Sequence, residues 1–258
     1  MQWQRGAAAS LGPGQGVGSR RALVRHTATW FRYFNDMQLR NIMRSIIATS
    51  ALALAIAVPG LAAAQELKFS GGATLATKYI ADGIEQTKGA AIQPWIEGEI
   101  AGFYFGAWLS NVDAGPSASD SVETDLYLGY RGEAGMFGYD IGYTHYYYNK
   151  SGSCCGQIIG SVSIAPTDAL SMGVRVAYDP DAKVTNSRLT AGYAFGEKFA
   201  VEALYGKINK GGHAYYAVSG SYALTDSLGL SLTLSDTDRA GVDDKQVVLA
   251  LDYSFSFN

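Results

Sequence analysis

Charged residues, cysteines and long apolar runs are all scarce in this sequence of 258 residues. Asp, Glu, Lys and Arg make up 17% of it, whereas a soluble domain carries about 25%, so part of the surface is expected to lie out of water. Two Cys and three His are too few and too scattered for a metal site, and we expect no metal or cofactor. No apolar run reaches the roughly 20 residues of a transmembrane helix.

Basic residues are scarce outside the N-terminal region. Residues 1–64 contain seven Arg, no Lys and one acid, Asp36, which leaves 13 basic and 22 acidic residues from Gln65 onward. Binding of nucleic acid requires clustered Lys and Arg to neutralise phosphates. The acidic body therefore predicts no nucleic-acid partner.

The N-terminal region has the layout of an export signal. Arg44 precedes an apolar run over 46–58, and three Ala end the segment at Ala64, as in a cleaved secretory signal peptide. We predict a signal peptide over 37–64 and a mature chain over 65–258. Residues 1–36 show no hydrophobic period, and two interpretations stay open: a spurious extension from a start codon placed too early, or a disordered leader.

A helical period is also missing from the mature chain, and an extended period takes its place. Segments of about ten residues alternate apolar and polar side chains, and turn residues separate them, which is typical of antiparallel strands. The predicted strands are 67–80, 90–100, 103–112, 121–131, 136–148, 157–165, 169–178, 186–195, 199–207, 213–223, 227–236 and 245–257.

The connections between these strands alternate between tight links and longer polar loops. Tight links such as "IAGF" and "FGEKF" alternate with loops such as "ADGIEQTKGA" and "DTDRAGVDD". In an up-and-down sheet this alternation puts the tight turns at one end and the loops at the other. Outer-membrane barrels have this asymmetry, and closure pairs every backbone polar group in lipid. We predict an all-β, antiparallel up-and-down transmembrane β-barrel of about 12 strands in the bacterial outer membrane, with short periplasmic turns and longer extracellular loops.

The two faces of the predicted strands differ in polarity. In a barrel the apolar face would meet lipid, whereas in a soluble sandwich the same face would be the core. Aromatic residues expected in the lipid-facing girdle are Tyr139, Tyr143, Tyr253, Phe255 and Phe257. Residues expected to line the pore are Lys68, Lys78, Glu97, Glu99, Glu123, Asp125, Arg131, Asp140, Arg175, Arg188, Glu202 and Asp252.

This charged face is the main indication of function. Ionisable side chains are costly toward lipid and tune selectivity inside a barrel. Five bases against seven acids predict a narrow aqueous pore for small hydrophilic solutes or ions, with a mild preference for cations. A barrel filled by its own salt bridges, acting as a structural or adhesive protein, is the alternative. No loop is long enough for an obvious plug, so a constriction is expected from wall side chains.

The start of the mature chain resembles the TorF-type (Gcw_chp-like) family of bacterial porins. The resemblance rests on "ATKYIADGIEQTKGAAIQPWIEG", "GFYFGAWLSNVD" and "ETDLYLGYRGE", within residues 67–148. It implies a porin with no established substrate. Asp82 replaces a usual Arg and Glu85 a usual Ser, and both changes would make the first loop more acidic if it folds into the pore mouth.

The C-terminal strand indicates two partners, the outer-membrane lipid and the barrel-assembly machinery. Its alternating aromatics, Tyr253, Phe255 and Phe257, face lipid and resemble the signal read by the barrel-assembly machinery, although Asn258 displaces the usual terminal aromatic. The sequence leaves homo-oligomerisation open.

Two further motifs have weaker implications. Cys154 and Cys155 are predicted to lie in a Gly/Ser loop, and "HYYYN" at 145–149 is predicted to belong to the aromatic girdle rather than to a ligand site. A lipid hydrolase would need a Ser, a His and a polar partner on the lipid-facing side. His145 could lie there with Tyr143 and Tyr147, but no Ser clearly accompanies it, so we expect no enzyme.

Overall fold

The computed structural model describes residues 66–242 and 245–257. The predicted signal peptide and N-terminal extension, residues 1–64, lie outside the described residues. Within them, twelve strands form a closed barrel, and two very short strands form a separate hairpin. None of the helices in these ranges is long and apolar enough to cross a membrane.

The barrel strands pair antiparallel in chain order, and the last strand closes against the first. The barrel strands are β1 (Lys68–Ala76), β4 (Ala91–Ile100), β5 (Phe103–Asn111), β6 (Val122–Ala134), β7 (Phe137–Tyr148), β8 (Gly152–Ile164), β9 (Leu170–Asp179), β10 (Val184–Phe195), β11 (Phe199–Ile208), β12 (Ala214–Ala223), β13 (Leu228–Thr237) and β14 (Gln246–Phe257). The hairpin strands are β2 (Ile80–Ala81) and β3 (Ile84–Glu85). This topology confirms the predicted up-and-down transmembrane barrel.

The barrel is apolar outside and polar inside. On β13, Leu230, Leu232 and Leu234 are exposed, whereas Ser231 between them is buried in the interior. The same alternation leaves Ile, Val, Phe and Tyr side chains exposed around the whole circumference. An apolar surface of this extent is unusual for a soluble monomer and suits contact with lipid. Closure of the barrel also leaves no strand edge unpaired, as the lipid environment requires.

The two ends of the barrel differ in their connections. We call the end with both chain termini the turn end; its links are 101–102, 135–136, 165–169, 196–198 and 224–227. The opposite, loop end has links 77–90, 112–121, 149–151, 180–183, 209–213 and 238–245. The longest links lie at the loop end, as the sequence pattern predicts.

The link between β7 and β8 is much shorter than predicted, because β8 begins at Gly152 rather than at 157. The prediction that Cys154 and Cys155 lie in a loop was therefore wrong. Both lie in β8, joined by a disulfide, at a β-bulge where Tyr146 pairs with Cys155 and Tyr147 pairs with Ser153. Cys154 is the extra residue, and such residues interrupt the alternation from which strands are predicted.

The first strand also ends earlier than predicted, at Ala76. The following link, 77–90, contains the β2–β3 hairpin, whose tip lies in the barrel interior with Asp82, Gly83 and Ile84 buried. The hairpin therefore adds loop side chains to an interior for which only wall side chains were expected. The hairpin is held there by contacts with strands on the far side of the barrel, which a local sequence pattern does not reveal.

Candidate functional site

The charged residues predicted to line the pore lie on the inner face of the barrel or at its turn end. The buried ones are Glu97, Glu123, Asp125, Asp140, Arg188, Glu202 and Asp252. Partly exposed ones are Lys68, Lys78, Glu99, Arg131 and Arg175. Their placement is the one that a pore lining requires, although solute contact itself stays a prediction.

The aromatic residues predicted for the girdle lie on the opposite, outer face. Each of them exposes between 39% and 50% of its surface: Tyr139, Tyr143, Tyr253, Phe255 and Phe257. At the turn end the ring of Phe257 stacks on that of Phe69, with centroids 5.7 Å apart. Strand β14 therefore remains regular as far as Phe257, because it pairs with the closing strand β1.

At the turn end, an ion-pair network that we call the turn-end cluster fills part of the interior. Arg131 donates to Glu97 over 2.6 Å and lies 3.5 Å from Glu99. Its guanidinium carbon lies 3.9 Å from the centre of the Tyr104 ring, and the Tyr104 hydroxyl donates to Asp140 over 2.8 Å. Predicted lining residues on β4, β6 and β7 are thereby tied to one another.

A second group of interior side chains, the lumenal aromatic cluster, was missed by the sequence analysis. Its members are buried and lie on β4 to β7 and the 77–90 link: Tyr79, Trp95, Trp108, Tyr127, Tyr146 and Tyr148. The assignment of "HYYYN" to the girdle was therefore wrong for Tyr146 and Tyr148. The period of two could have revealed this, since both residues share the parity of Asp140, which had been placed inward.

The lumenal aromatic cluster encloses two carboxylates near the loop end. Glu123 and Asp125 are fully buried, and the hydroxyl of Tyr148 donates to Glu123 over 2.8 Å. Burial raises the pKa of Tyr79 well above its usual value, and the neighbouring Glu123 and Asp125 raise it further. Tyr79 therefore stays a neutral phenol at physiological pH.

The hairpin tip is fastened to the opposite wall through Asp82. Its carboxylate accepts hydrogen bonds from Arg188 and from the Asn186 amide, and its carbonyl lies 2.7 Å from His213 Nε2. Arg188 also donates to the Tyr215 hydroxyl over 2.5 Å. The Asp82–Arg188 pair is nearly completely buried, so removing one partner would leave a costly unpaired charge.

The hairpin requires glycine at its tip. Gly83 has a φ of +78°, a conformation that side chains with a Cβ rarely adopt. A Cβ at this position would also lie 2.8 Å from Tyr215 Cβ and 2.9 Å from Thr237 Cβ. The tip therefore reaches β12 and β13 only because residue 83 has no side chain.

Beside the hairpin, the interior retains a cavity of about 160 Å³. Strands β1 and β11–β14 contribute hydroxyl and carboxylate groups to its wall, from Thr74, Glu202, Ser219, Ser231, Thr233 and Asp252. The 77–90 link covers it through Lys78, Tyr79 and Asp82. The cavity thus lies on the β1 and β11–β14 side of the interior, with Tyr79 and Trp108 of the lumenal aromatic cluster at its border.

The inward hairpin adds acids that the wall pattern did not include. Asp82 pairs with Arg188, and Glu85 accepts a hydrogen bond from Lys78 over 2.7 Å. Both pairs offset bases that were predicted as pore lining. The interior is consequently more acidic than the predicted wall alone. Among the described residues, no three His, Cys, Asp or Glu are arranged to hold a metal ion.

Comparisons with known proteins agree with this architecture. The profile of a family described as "Bacterial protein of unknown function (Gcw_chp)" matches residues 61–187. No curated protein sequence matches the chain. A solved KdgM porin is similar with a TM-score of 0.56 and 14% identity, over 73% of this chain and 99% of that one. A KdgM porin in complex with disordered oligogalacturonate gives a TM-score of 0.53 and 13% identity, over the same shares. At these identities the likeness shows that the chain shares the fold of these porins.

Proposed function

We propose that this protein is an outer-membrane porin that lets small hydrophilic solutes or ions diffuse through a narrow, off-centre path. The observation that carries the proposal is a cavity inside an apolar-sided barrel, with hydroxyl and carboxylate groups in its wall. The turn end would face the periplasm and the loop end the exterior, after export and cleavage near Ala64. The C-terminal strand β14 would engage the barrel-assembly machinery, and the barrels could associate as homo-oligomers.

The proposed selectivity is a mild preference for cations. The carboxylates of Glu202 and Asp252 lie in the cavity wall, and the base closest to the cavity, Lys78, is paired with Glu85. A wall of this charge raises the local concentration of cations. It is also poorly suited to an anionic polysaccharide such as the oligogalacturonate bound by a KdgM porin.

Planar-bilayer recording of purified protein tests both parts of the proposal. Wild-type protein should show discrete channels, and the reversal potential in a KCl gradient should have the sign of cation preference. E202Q/D252N should reduce that potential toward zero, whereas D238N, which removes an exposed loop charge, should not change it. Anion preference in the wild type would overturn the selectivity.

A non-conducting structural or adhesive barrel is the second candidate. The turn-end cluster, the lumenal aromatic cluster and the fastened hairpin together fill much of the interior, and this filling favours it. Proteoliposomes that show no swelling with any small sugar, amino acid or salt would support this candidate over the porin.

A further inference from the structure

The bulge in β8 brings a Ser to a His on the outer face of the barrel. Because Cys154 is the extra residue, Ser153 pairs with Tyr147, and Tyr147 is exposed on the outer face. In a regular ladder Ser153 would have been opposite Tyr148, which points inward. The bulge therefore turns Ser153 outward and overturns the expectation that no Ser accompanies His145.

The resulting geometry is that of a nucleophile and a base. Ser153 Oγ lies 2.9 Å from His145 Nε2, and Tyr143 Oη lies 3.4 Å from His145 Nδ1. With the ring proton on Nδ1, that nitrogen donates to Tyr143 and Nε2 accepts from Ser153. Nucleophilic Ser residues are activated by this order of groups, in which a third residue orients the base.

Tyr143 reaches its position because the neighbouring strand leaves a gap. Gly156 pairs with His145 across β7 and β8, and a Cβ added at Gly156 would clash with the Tyr143 hydroxyl. The phenol thus lies over a residue without a side chain. The rings of Tyr143 and His145 are stacked, with centroids 6.4 Å apart.

We propose that Ser153 and His145 form a catalytic pair that cleaves acyl esters of amphiphiles at the outer surface of the barrel. Exposed Leu126 and Tyr147 pair with His145 and Ser153, and exposed Ile158 pairs with Tyr143, so the substrate would present an acyl chain to this surface. Tyr143 would be a positioning residue. The proposal concerns the outer face and is independent of whether the interior conducts.

In the proposed reaction, Ser153 Oγ attacks the ester carbonyl carbon while its proton moves to His145 Nε2. The bond from that carbon to the alcohol oxygen then breaks, and His145 returns the proton to the leaving alcohol. Water next attacks the acyl-Ser153 ester, giving its proton to His145. Collapse of this second intermediate releases the carboxylic acid, and the proton returns to Ser153 Oγ.

The test uses the purified full chain in detergent micelles and a biotinylated fluorophosphonate, which reacts with activated Ser. The expected result is an adduct that peptide mass spectrometry places on Ser153. S153A should abolish it, and H145Q should slow it by about 10²-fold, the lower range for general-base assistance. S119A, which removes an exposed Ser from the 112–121 link, is the matched control and should leave the rate unchanged.

The role of Tyr143 has a separate kinetic signature. Y143F should lower the maximal rate of inactivation and leave the half-saturating probe concentration unchanged, and G156A should do the same by displacing the phenol. A general loss of structure would instead change both quantities, and unaltered heat-modifiable mobility in electrophoresis would exclude it.

Esters of different acyl-chain length then identify the class of substrate. The wild type should hydrolyse p-nitrophenyl laurate faster than p-nitrophenyl butyrate, and S153A should hydrolyse neither above background. The proposal is overturned if Ser153 is labelled no faster than Ser119, or if S153A retains the hydrolysis. Neither outcome would change channel activity in the same preparation. Failure of the esterase proposal is therefore distinguishable from failure of the proposed pore.

Discussion

At the scale of residues, the most consequential position is Asp82 at the tip of the hairpin. Its carboxylate joins the hairpin to Arg188 and Asn186 on β10. These contacts hold the hairpin against the opposite wall of the barrel.

Replacing Asp82 tests this role. D82N removes the charge that Arg188 requires, and because both groups are buried it should lower the free energy of unfolding by up to about 3–5 kcal/mol. A loosened hairpin should also increase single-channel conductance. Denaturant titration and bilayer recording measure the two effects, with D238N at an exposed pair as control. A destabilised D82N of unchanged conductance would show that the hairpin does not constrict the path.

Asp120 provides a pH-dependent contact at the loop end. Its carboxylate accepts from the amides of Lys150 and Ser151 and from the Ser151 hydroxyl, over 2.9, 2.8 and 2.7 Å. Burial alone would raise its pKa, but the hydrogen bonds from Ser151 and Lys150 outweigh it and lower the pKa below the usual 3.8. A lowered pKa stabilises the fold above the usual value, and this stabilisation is lost as the pH falls through the lowered one.

D120N should therefore melt below the wild type at pH 7, and the difference should shrink as the pH is lowered below about 4. Thermal unfolding of both proteins between pH 7 and pH 2 measures it. A difference that stays constant over this range would show that the carboxylate charge contributes nothing.

At the scale of elements, the hairpin and the bulge both depart from regular strand geometry. The hairpin depends on a positive φ at Asp82 and Gly83, and the bulge places Cys154 outside the pairing of β7 with β8. Each device changes which side chains share a face. The hairpin brings acids into the interior, and the bulge brings Ser153 to His145.

The hairpin tip can be tested by a matched pair of glycine substitutions. G83A combines an unfavourable φ with contacts to Tyr215 and Thr237 below 3 Å, so it should displace the tip and raise conductance. G89A lies in the same link, where an added Cβ meets nothing within 4 Å, and it should behave as the wild type. Equal conductance of the two variants would contradict the inward position of the tip.

At the scale of the whole molecule, the barrel depends on which face meets lipid. Leu232 and Thr233 are adjacent on β13, but Leu232 is exposed on the outer face and Thr233 lines the cavity. A basic side chain near the middle of a lipid-facing strand costs about 2–4 kcal/mol, whereas lumenal changes are tolerated. The two positions therefore measure the orientation of the sheet.

L232K should lower the free energy of unfolding in lipid vesicles by about 2–4 kcal/mol, and T233K should change it much less. Urea titration monitored by Trp fluorescence gives both values. The opposite order would mean that the Leu face is the interior of a soluble sandwich, and the proposed pore would fail with it.

The barrel can be predicted from local sequence patterns. A period of two needs only neighbouring residues, so the strands, their order and the sides of Glu202 or Leu232 follow from local alternation and the turns. The contents of the barrel interior depend instead on contacts between residues far apart in the chain. Asp82 meets Arg188, and Ser153 meets His145, across strands or through a bulge. Such contacts depend on chain closure and on one inserted residue, which leave no periodic trace in the sequence.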